Sequence, residues 1–119
     1  MDESILNTIK KMLGPDEGYD VFDTELVIHI NTAIATLTQI GVGPPQGFRI
    51  TGAGETWTDY LGSDEGLENV KTYIYCKVKM IFDPPTSSFV MKALQDTCDE
   101  LVWRLNVAVD PGNYRTETE

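Results

Sequence analysis

Basic residues are scarce in this chain. Among 119 residues there are 9 Lys or Arg against 19 Asp or Glu, which gives a formal net charge of −10 at pH 7. Proteins that bind nucleic acid normally gather Lys and Arg into a patch that displaces counterions from the phosphate backbone. The bases here are scattered, and residues 14–25 and 55–68 contain acids and no base. We therefore expect no specific nucleic-acid binding. We interpret the acidic segments as solvated surface, with a surface that meets a basic partner as the alternative.

Long apolar runs, cysteine and histidine are also in short supply. No stretch approaches the roughly 18 apolar residues of a membrane helix, and residues 1–13 lack the basic and then apolar order of a signal peptide. Two cysteines, Cys76 and Cys98, are too few for a disulfide scaffold, so we expect reduced thiols in a cytosol. The one histidine, His29, and two separated cysteines cannot supply a tetrahedral zinc site.

No pattern of catalytic residues stands out either. A cysteine nucleophile needs an activating base nearby, and neither thiol has His29 as an obvious neighbour. The glycine-rich segment 41–47 lacks the Gly-Lys-Ser/Thr ending of a phosphate-binding loop, and its two prolines remove backbone donors. Acid pairs occur only in polar stretches, where nothing marks one carboxyl as buried. We predict that the chain is not an enzyme and has no catalytic residue, cofactor or metal ion.

What the sequence does contain is a set of helical patterns. Apolar residues recur at helical spacing in residues 3–13, 23–40, 66–82 and 88–107. Proline, in three of the four cases together with glycine, follows each segment and should end each helix. The sequence thus predicts a mainly α domain over residues 1–110, a small bundle of about four helices. A flexible polar tail, residues 111–119, follows it.

The same spacing predicts which faces are buried. In the second helix the buried stripe is Leu26, Ile30, Ala33, Ile34 and Leu37. In the third it is Leu67, Val70, Ile74, Val78 and Ile81, which leaves Cys76 on the outer face. In the fourth it is Met91, Leu94, Cys98, Leu101, Leu105 and Ala108, at alternating three and four spacing. We also expect Asp23 to be the N-cap of the second helix, with Phe22 packed on Val27.

A long irregular segment, residues 41–66, separates helices two and three. Residues 48–51 and 55–57 flank Gly52-Ala53-Gly54, a pattern compatible with a short β-hairpin. Residues 58–62 could add one helical turn. Since loops of this length are usually functional or partly mobile, we expect this one to be more mobile than the helices and to become ordered on assembly.

The fourth helix carries apolar residues in an unexpected place. Opposite its buried face lies a strip of Phe89, Lys92, Asp96, Asp99, Trp103 and Asn106. Two large aromatic residues thus sit among charges. Either another element of the same domain covers them, or they contact another subunit or a partner, because Trp is favoured at interface hot spots. Phe89 and Trp103 are our first candidate interface residues.

Several segments, taken together in this order and spacing, resemble a known family. They are His29-Ile30-Asn31, Gly41-Val42-Gly43-Pro44, Thr56–Gly62 (TWTDYLG), Val70–Tyr75 (VKTYIY), Phe82–Ser88 (FDPPTSS) and Glu100–Asn106 (ELVWRLN). Over residues 3–109 or so, the chain is similar to the head–tail connector, or adaptor, proteins of long-tailed bacteriophages. Each segment alone is a weak helical pattern, and the set is what is specific.

The resemblance implies a helical bundle that assembles as a homo-oligomeric ring, dodecameric in the virion, beneath the portal protein. Such a ring extends the DNA channel and receives the head-closure (stopper) protein on its other side. The expected location is the head–tail neck of the virion, after assembly in the cytoplasm of the bacterial host. The resemblance also suggests that the end of the last helix and the tail dock on the portal. That makes Tyr114 and Arg115 further candidate interface residues, although a frayed end is the simpler interpretation of the tail.

A second hypothesis comes from another class of protein. An acidic domain with few bases could be a DNA mimic that inhibits a nucleic-acid enzyme by filling its basic groove. A mimic needs acids in a track spaced like phosphates, whereas the acids here fall mostly in predicted loops. An enzyme is more distant still, since it would need a convergent polar pocket.

Overall fold

Local sequence signals account for where several of the helices begin and end. A computed structural model of the chain describes residues 4–14, 21–62, 66–82 and 84–109, with the backbone alone for residues 108 and 109. The helices are α1 (Ile5–Leu13), α2 (Asp23–Gln39), α3 (Trp57–Leu61), α4 (Leu67–Phe82) and α5 (Ser88–Val109). The described residues contain no β-strand. The predicted mainly α fold is confirmed, with one short helix more than the four expected.

Helices α1, α2 and α4 form the centre of the bundle, since each packs against the other two. The predicted stripe of α2 is confirmed at all five positions, which are all buried. From α1 the buried apolar residues are Ile5, Leu6 and Ile9, and from α4 they include Val70, Ile74 and Val78. One core therefore runs through the three helices.

The ends of α1 show why its sequence is helical there. The Ser4 side chain accepts a hydrogen bond from the Asn7 amide at 3.2 Å and caps the first turn. At the other end Gly14 takes the left-handed conformation, with φ at 110°, which a residue with a Cβ adopts only at a cost. The predicted stop at Gly14 is thus confirmed, while Pro15 lies outside the described residues.

The expected N-cap role of Asp23 is wrong. The helix begins at Asp23 itself, and Phe22, in the cap position, makes no side-chain hydrogen bond to the helix. The Asp23 carboxylate lies instead 2.9 Å from the amino group of Lys10, a buried residue of α1. A buried cation is unfavourable without an anion. The Asp23 carboxylate therefore pairs with Lys10 and does not cap α2.

The segment between α2 and α3 forms no hairpin. The Ile50 amide and carbonyl both bond to the Asn31 side chain of α2, at 2.7 and 2.9 Å. Thr56 pairs with Ser4 in an isolated antiparallel bridge. The backbone groups that a hairpin would have paired are thus engaged by α2 and by the start of α1.

Helix α3 also begins earlier than the predicted turn at residue 58. Thr56 and Asp59 form a capping box, each side chain bonding the other's backbone amide at 3.1 Å. The ring of Tyr60 then packs so close to Gly43 that a Cβ on Gly43 would lie 2.6 Å from it. Trp57 and Tyr60 from this short helix are both buried.

Helix α4 differs from its predicted orientation in two residues. Cys76, expected outside, is buried, and Ile81, expected inside, is 52% exposed. The reason is α5, which packs along α4 and brings Cys98 into hydrogen-bond contact with Cys76. This contact widens the buried surface of α4 toward Tyr73 and Cys76, beyond the single stripe that periodicity predicts.

Candidate functional site

The outward face of α5 is the most exposed apolar feature of the described chain. The side chain of Phe89 is 82% exposed and that of Trp103 is 60% exposed. Within the part of the chain that the structure describes, no other element covers either ring. A contact with another subunit or a partner remains our prediction for both residues.

This exposure follows from how α5 is held. The helix has 22 residues and packs mainly against α4, so over a length of about 33 Å it buries only one stripe. Cys98, Leu101 and Leu105 are buried in that stripe, as predicted. Ser87 begins the helix by accepting a hydrogen bond from the Val90 amide at 3.3 Å. Most of the remaining circumference of α5 faces outward.

Charges lie between the two exposed aromatic rings. Lys92 pairs with Asp96 at 3.3 Å, and Arg104 pairs with Glu100, each four residues apart on the helix. Exposed pairs of this kind contribute about 0.3–0.5 kcal/mol to stability. Asp99 lies between the two pairs, is exposed, and has no ion-pair partner among the described residues. One unneutralised carboxylate therefore accompanies Trp103 on the strip.

A second surface, on α2, was not predicted from the sequence. A depression of about 450 Å³ lies between α2 and the chain after it, and a smaller one of about 210 Å³ adjoins it. The two share Val27 and Ile28, and we refer to them together as the α2 groove. The larger is lined by Val27, Ile28, Asn31, Thr32, Ala35, Phe48 and Arg49. The smaller is lined by Leu6, Asp23, Thr24, Val27, Ile28, Thr51, Gly52 and Ala53.

The α2 groove is apolar at its centre and cationic at one rim. Ile28 is 57% exposed, although it is a large aliphatic residue. Arg49 at the rim is exposed and has no ion-pair partner among the described residues. The sequence signal was Ile28 itself, which stands off the buried stripe of α2, but nothing in the sequence placed residues 48–53 beside it.

Hydrogen bonds fix the far wall of the groove. Besides the two bonds between Asn31 and Ile50, the Glu55 carboxylate accepts bonds from the Thr51 amide and hydroxyl at 3.1 and 2.9 Å. Desolvation alone would raise the pKa of Glu55, but the bonds from Thr51 and from backbone amides outweigh it and lower that pKa. Hydrogen bonds thus connect the wall both to α2, through Asn31, and to Glu55 farther along the same segment.

The described residues hold no arrangement suited to catalysis or metal binding. Both thiols are buried. Their mutual hydrogen bond, more than burial, raises the pKa of the Cys98 thiol and lowers the pKa of the Cys76 thiol, so the two form a hydrogen-bonded pair inside the core and not an accessible nucleophile. His29 stands alone, and nowhere in the described ranges do three or more His, Cys, Asp or Glu side chains converge as a metal site would require. None of the helices in these ranges combines the length and the hydropathy needed to cross a membrane.

Three acidic side chains of the described part have local partners. Asp23 pairs with Lys10, Asp59 completes a capping box, and Glu55 holds Thr51. These carboxylates sit on different elements and have their own intramolecular partners. These three are therefore not available to a phosphate-like track of the kind that a DNA mimic needs. Two predicted site residues, Tyr114 and Arg115, and the predicted helix end at residues 110–112 lie outside the described residues.

Comparison with known families gives a match over most of the chain. The sequence model of the family described as "Phage connector protein" matches residues 5–112, which include all five helices. The match confirms the family resemblance drawn from the sequence segments. Neither the curated proteins nor the solved structures gave a match to the chain.

Proposed function

The chain belongs to the phage connector protein family, and we propose that within it this protein is the head–tail adaptor that forms a ring beneath the portal. The family is one of virion structural proteins, which agrees with the absence of a catalytic arrangement in the described residues. In the proposed role, the ring extends the DNA channel of the portal. Its other side receives the head-closure protein.

The uncovered face of α5 is the observation that carries this proposal. A subunit with no ring neighbours would expose Phe89 and Trp103 to water, whereas a ring offers each subunit two neighbours and a portal surface. Large aromatic residues are favoured at the centres of protein interfaces. The exposed strip is therefore what a subunit that acts through assembly needs.

The charge of the chain suits a channel wall. With a net charge of −10, the inner surface of such a ring would repel the phosphate backbone, so DNA could move past without binding. The DNA-mimic hypothesis requires the opposite behaviour, in which the acids dock in a basic groove. The local use of the acids described above favours the connector.

We further propose that residues 1–110 form the body of the ring subunit and residues 111–119 a tail that reaches the portal. The portal, the head-closure protein and further copies of this chain are then its partners. The virion neck is its final location, after assembly in the cytoplasm of the host. The twelvefold symmetry of the portal suggests twelve copies in the virion.

Electron microscopy of the full chain mixed with its portal protein tests this role. We expect a ring stacked coaxially on the narrow end of the portal, with a continuous central channel. Portal particles that remain bare at a large excess of the chain, under conditions where phage assembly proceeds, would contradict the adaptor role. A search for binding to basic nucleic-acid enzymes serves as the test of the mimic alternative.

A further inference from the structure

We infer that the exposed strip of α5 of one subunit lies in the α2 groove of the next copy of this chain. This inference rests on the proposed ring and specifies the two surfaces that join its subunits. A ring is built from heterologous contacts, in which a patch on one subunit meets a different patch on its neighbour. The chain presents two such different patches, an exposed strip with two aromatic residues on α5 and the apolar α2 groove.

The sizes of the two surfaces agree. Fourteen residues separate Phe89 from Trp103, which is about 21 Å along an α-helix. The α2 groove extends from Asp23 to Ala35, which is about 18 Å along α2. The larger depression, about 450 Å³, is the part that accepts the larger ring of Trp103, and Phe89 then reaches the far end of the smaller one.

The charges give the contact its direction. Asp99 and Arg49 are the unpaired acid of the strip and the unpaired base of the groove rim, both among the described residues. Asp99 lies one helical turn before Trp103, so a Trp103 ring in the larger depression brings Asp99 to the rim where Arg49 stands. Lys92, one turn beyond Phe89, then faces the end of the groove that contains Asp23. The opposite direction would carry Asp99 away from Arg49 and leave both charges without a partner across the contact.

The α2 groove is partly ordered before an aromatic side chain enters it. Hydrogen bonds to Asn31 and Glu55 already hold Ile50 and Thr51 of its wall in place, so only the rest of the segment has to become ordered on contact. Arg49 at the rim can further lie against the face of the Trp103 indole, an arrangement that aromatic rings favour for cations.

A charge exchange between Arg49 and Asp99 tests the pairing in the full chain. Three variants are compared with the wild type: Arg49→Glu, Asp99→Arg, and the two together. Assembly is followed by native mass spectrometry and sedimentation velocity, with the chain alone and with purified portal protein. We expect each single variant to need about tenfold or more protein for half-assembly, because each places like charges at every contact. The double variant restores assembly to near the wild-type level.

Mixing the two single variants is a sharper test. In an equimolar mixture every contact between unlike subunits again joins opposite charges, so assembly should return although neither variant assembles well alone. Glu68→Arg, a reversal at an exposed acid of α4 outside both surfaces, is the matched control and should assemble normally. All variants change exposed side chains, so their melting temperatures should stay close to that of the wild type.

The outcomes separate this inference from the proposed function. A wild type that forms rings or covers the portal while both single variants assemble equally well would overturn the pairing and leave the adaptor role intact. Oligomers that stop at a dimer would contradict the heterologous arrangement. A wild-type chain that neither forms a ring nor binds the portal would overturn the adaptor role and, with it, the pairing.

Discussion

The two tryptophans of this chain have opposite environments. Trp57 is 2% exposed, and its indole N–H donates to the Thr8 hydroxyl at 3.0 Å inside the core. The amino group of Lys71 lies 5.9 Å from the centre of the same ring. Trp103 is 60% exposed. The same residue type thus serves stability in one place and, by our proposal, assembly in the other.

Alanine at each tryptophan should separate these two roles. We expect Trp57→Ala to lower the free energy of unfolding by about 3–5 kcal/mol, the usual cost of removing a buried aromatic side chain. Trp103→Ala should change it by about 0.5 kcal/mol or less but weaken ring formation or portal binding. Chemical denaturation and native mass spectrometry measure the two effects. If Trp103→Ala unfolds as readily as Trp57→Ala, then Trp103 is a core residue and the interface assignment is wrong.

Tyr60 is a buried residue with an unusual hydroxyl. The ring stacks on Phe48 with centroids 4.9 Å apart, but the hydroxyl has no hydrogen-bond partner among the described residues. Burial raises the pKa of this phenol well above its ordinary value of 10.0. In the folded chain the phenol therefore stays protonated at a pH where the unfolded chain has begun to lose the proton.

The Tyr60→Phe variant tests both properties. At neutral pH we expect unchanged or slightly higher stability, by up to about 1 kcal/mol, since an unsatisfied buried hydroxyl is removed. Above pH 10 the unfolded wild type binds fewer protons than the folded wild type, so its stability falls as pH rises. That fall should be shallower in the variant. It should not vanish, because burial, and then nearby Cys98 and Asp99, also raise the pKa of Tyr73.

Tyr73→Phe is the matched control at neutral pH. Tyr73 has a hydrogen bond with Thr36, so its hydroxyl is satisfied and its removal should cost about 1 kcal/mol. Urea unfolding of both variants, at pH 7 and at pH 11, gives the four free energies of unfolding to compare. A Tyr60→Phe variant less stable than Tyr73→Phe at pH 7 would mean that the Tyr60 hydroxyl has a partner after all.

At the scale of helices, the sequence predicted best where one helix has one buried face. All five predicted core residues of α2 are buried, because a long periodic pattern against a single core leaves little choice. Helix α4 contacts α1, α2 and α5. Its burial therefore depends on partners that periodicity does not identify, which is why Cys76 and Ile81 were assigned to the wrong sides.

The irregular segment was hardest to predict because long-range contacts decide it. The bonds between Asn31 and Ile50 join residues 19 apart in the sequence, and the bridge between Ser4 and Thr56 joins residues farther apart still. No local turn signal reports such contacts, so the hairpin pattern at Gly52-Ala53-Gly54 was misleading. For the same reason the sequence could place Phe89 and Trp103 on one exposed strip but could not reveal the α2 groove.

Hydrogen exchange on an Asn31→Ala variant tests how this segment is held. In the monomer we still predict faster exchange over residues 41–56 than in the helices, with the Ile50 amide as a protected exception because it donates to Asn31 at 2.7 Å. In the variant that protection should be lost, with a decrease in stability of about 1–3 kcal/mol for the unsatisfied groups left behind. Thr32→Ala, at the exposed neighbouring position, is the control and should leave Ile50 protected. An Ile50 amide that exchanges at the same rate in both variants would show that other contacts hold the segment.

At the scale of the whole molecule, net charge governs how the protein meets DNA. With 19 acids against 9 bases, there is no basic patch whose contacts would release counterions. We expect no measurable binding to duplex DNA at physiological salt, in a gel-shift or fluorescence-anisotropy titration of the monomer and of the assembled ring. Salt-sensitive binding at micromolar protein would contradict the proposal that DNA passes through the ring without adhering.

The tail gives the last prediction. Residues 113–119 include Tyr114 and Arg115 on an otherwise polar stretch. An aromatic ring and a guanidinium are the kinds of group that carry interface energy. The core residues in the described part of the chain already form one cluster, and we predict that the tail adds nothing to it. We therefore expect deletion of residues 113–119 to leave the melting temperature nearly unchanged and to weaken binding to the portal.

A Tyr114→Ala and Arg115→Ala double variant keeps the full length of the tail but removes these two side chains. It therefore shows whether the side chains themselves bind the portal. If they make the contact, this variant should bind the portal as weakly as the truncated chain does, in a sedimentation or surface-binding assay with purified portal. Ring formation through α5 and the α2 groove should persist in both, because neither surface includes the tail. Full portal affinity and normal phage assembly with the truncated chain would show that the tail is dispensable, and the portal contact would then have to lie on the folded helices.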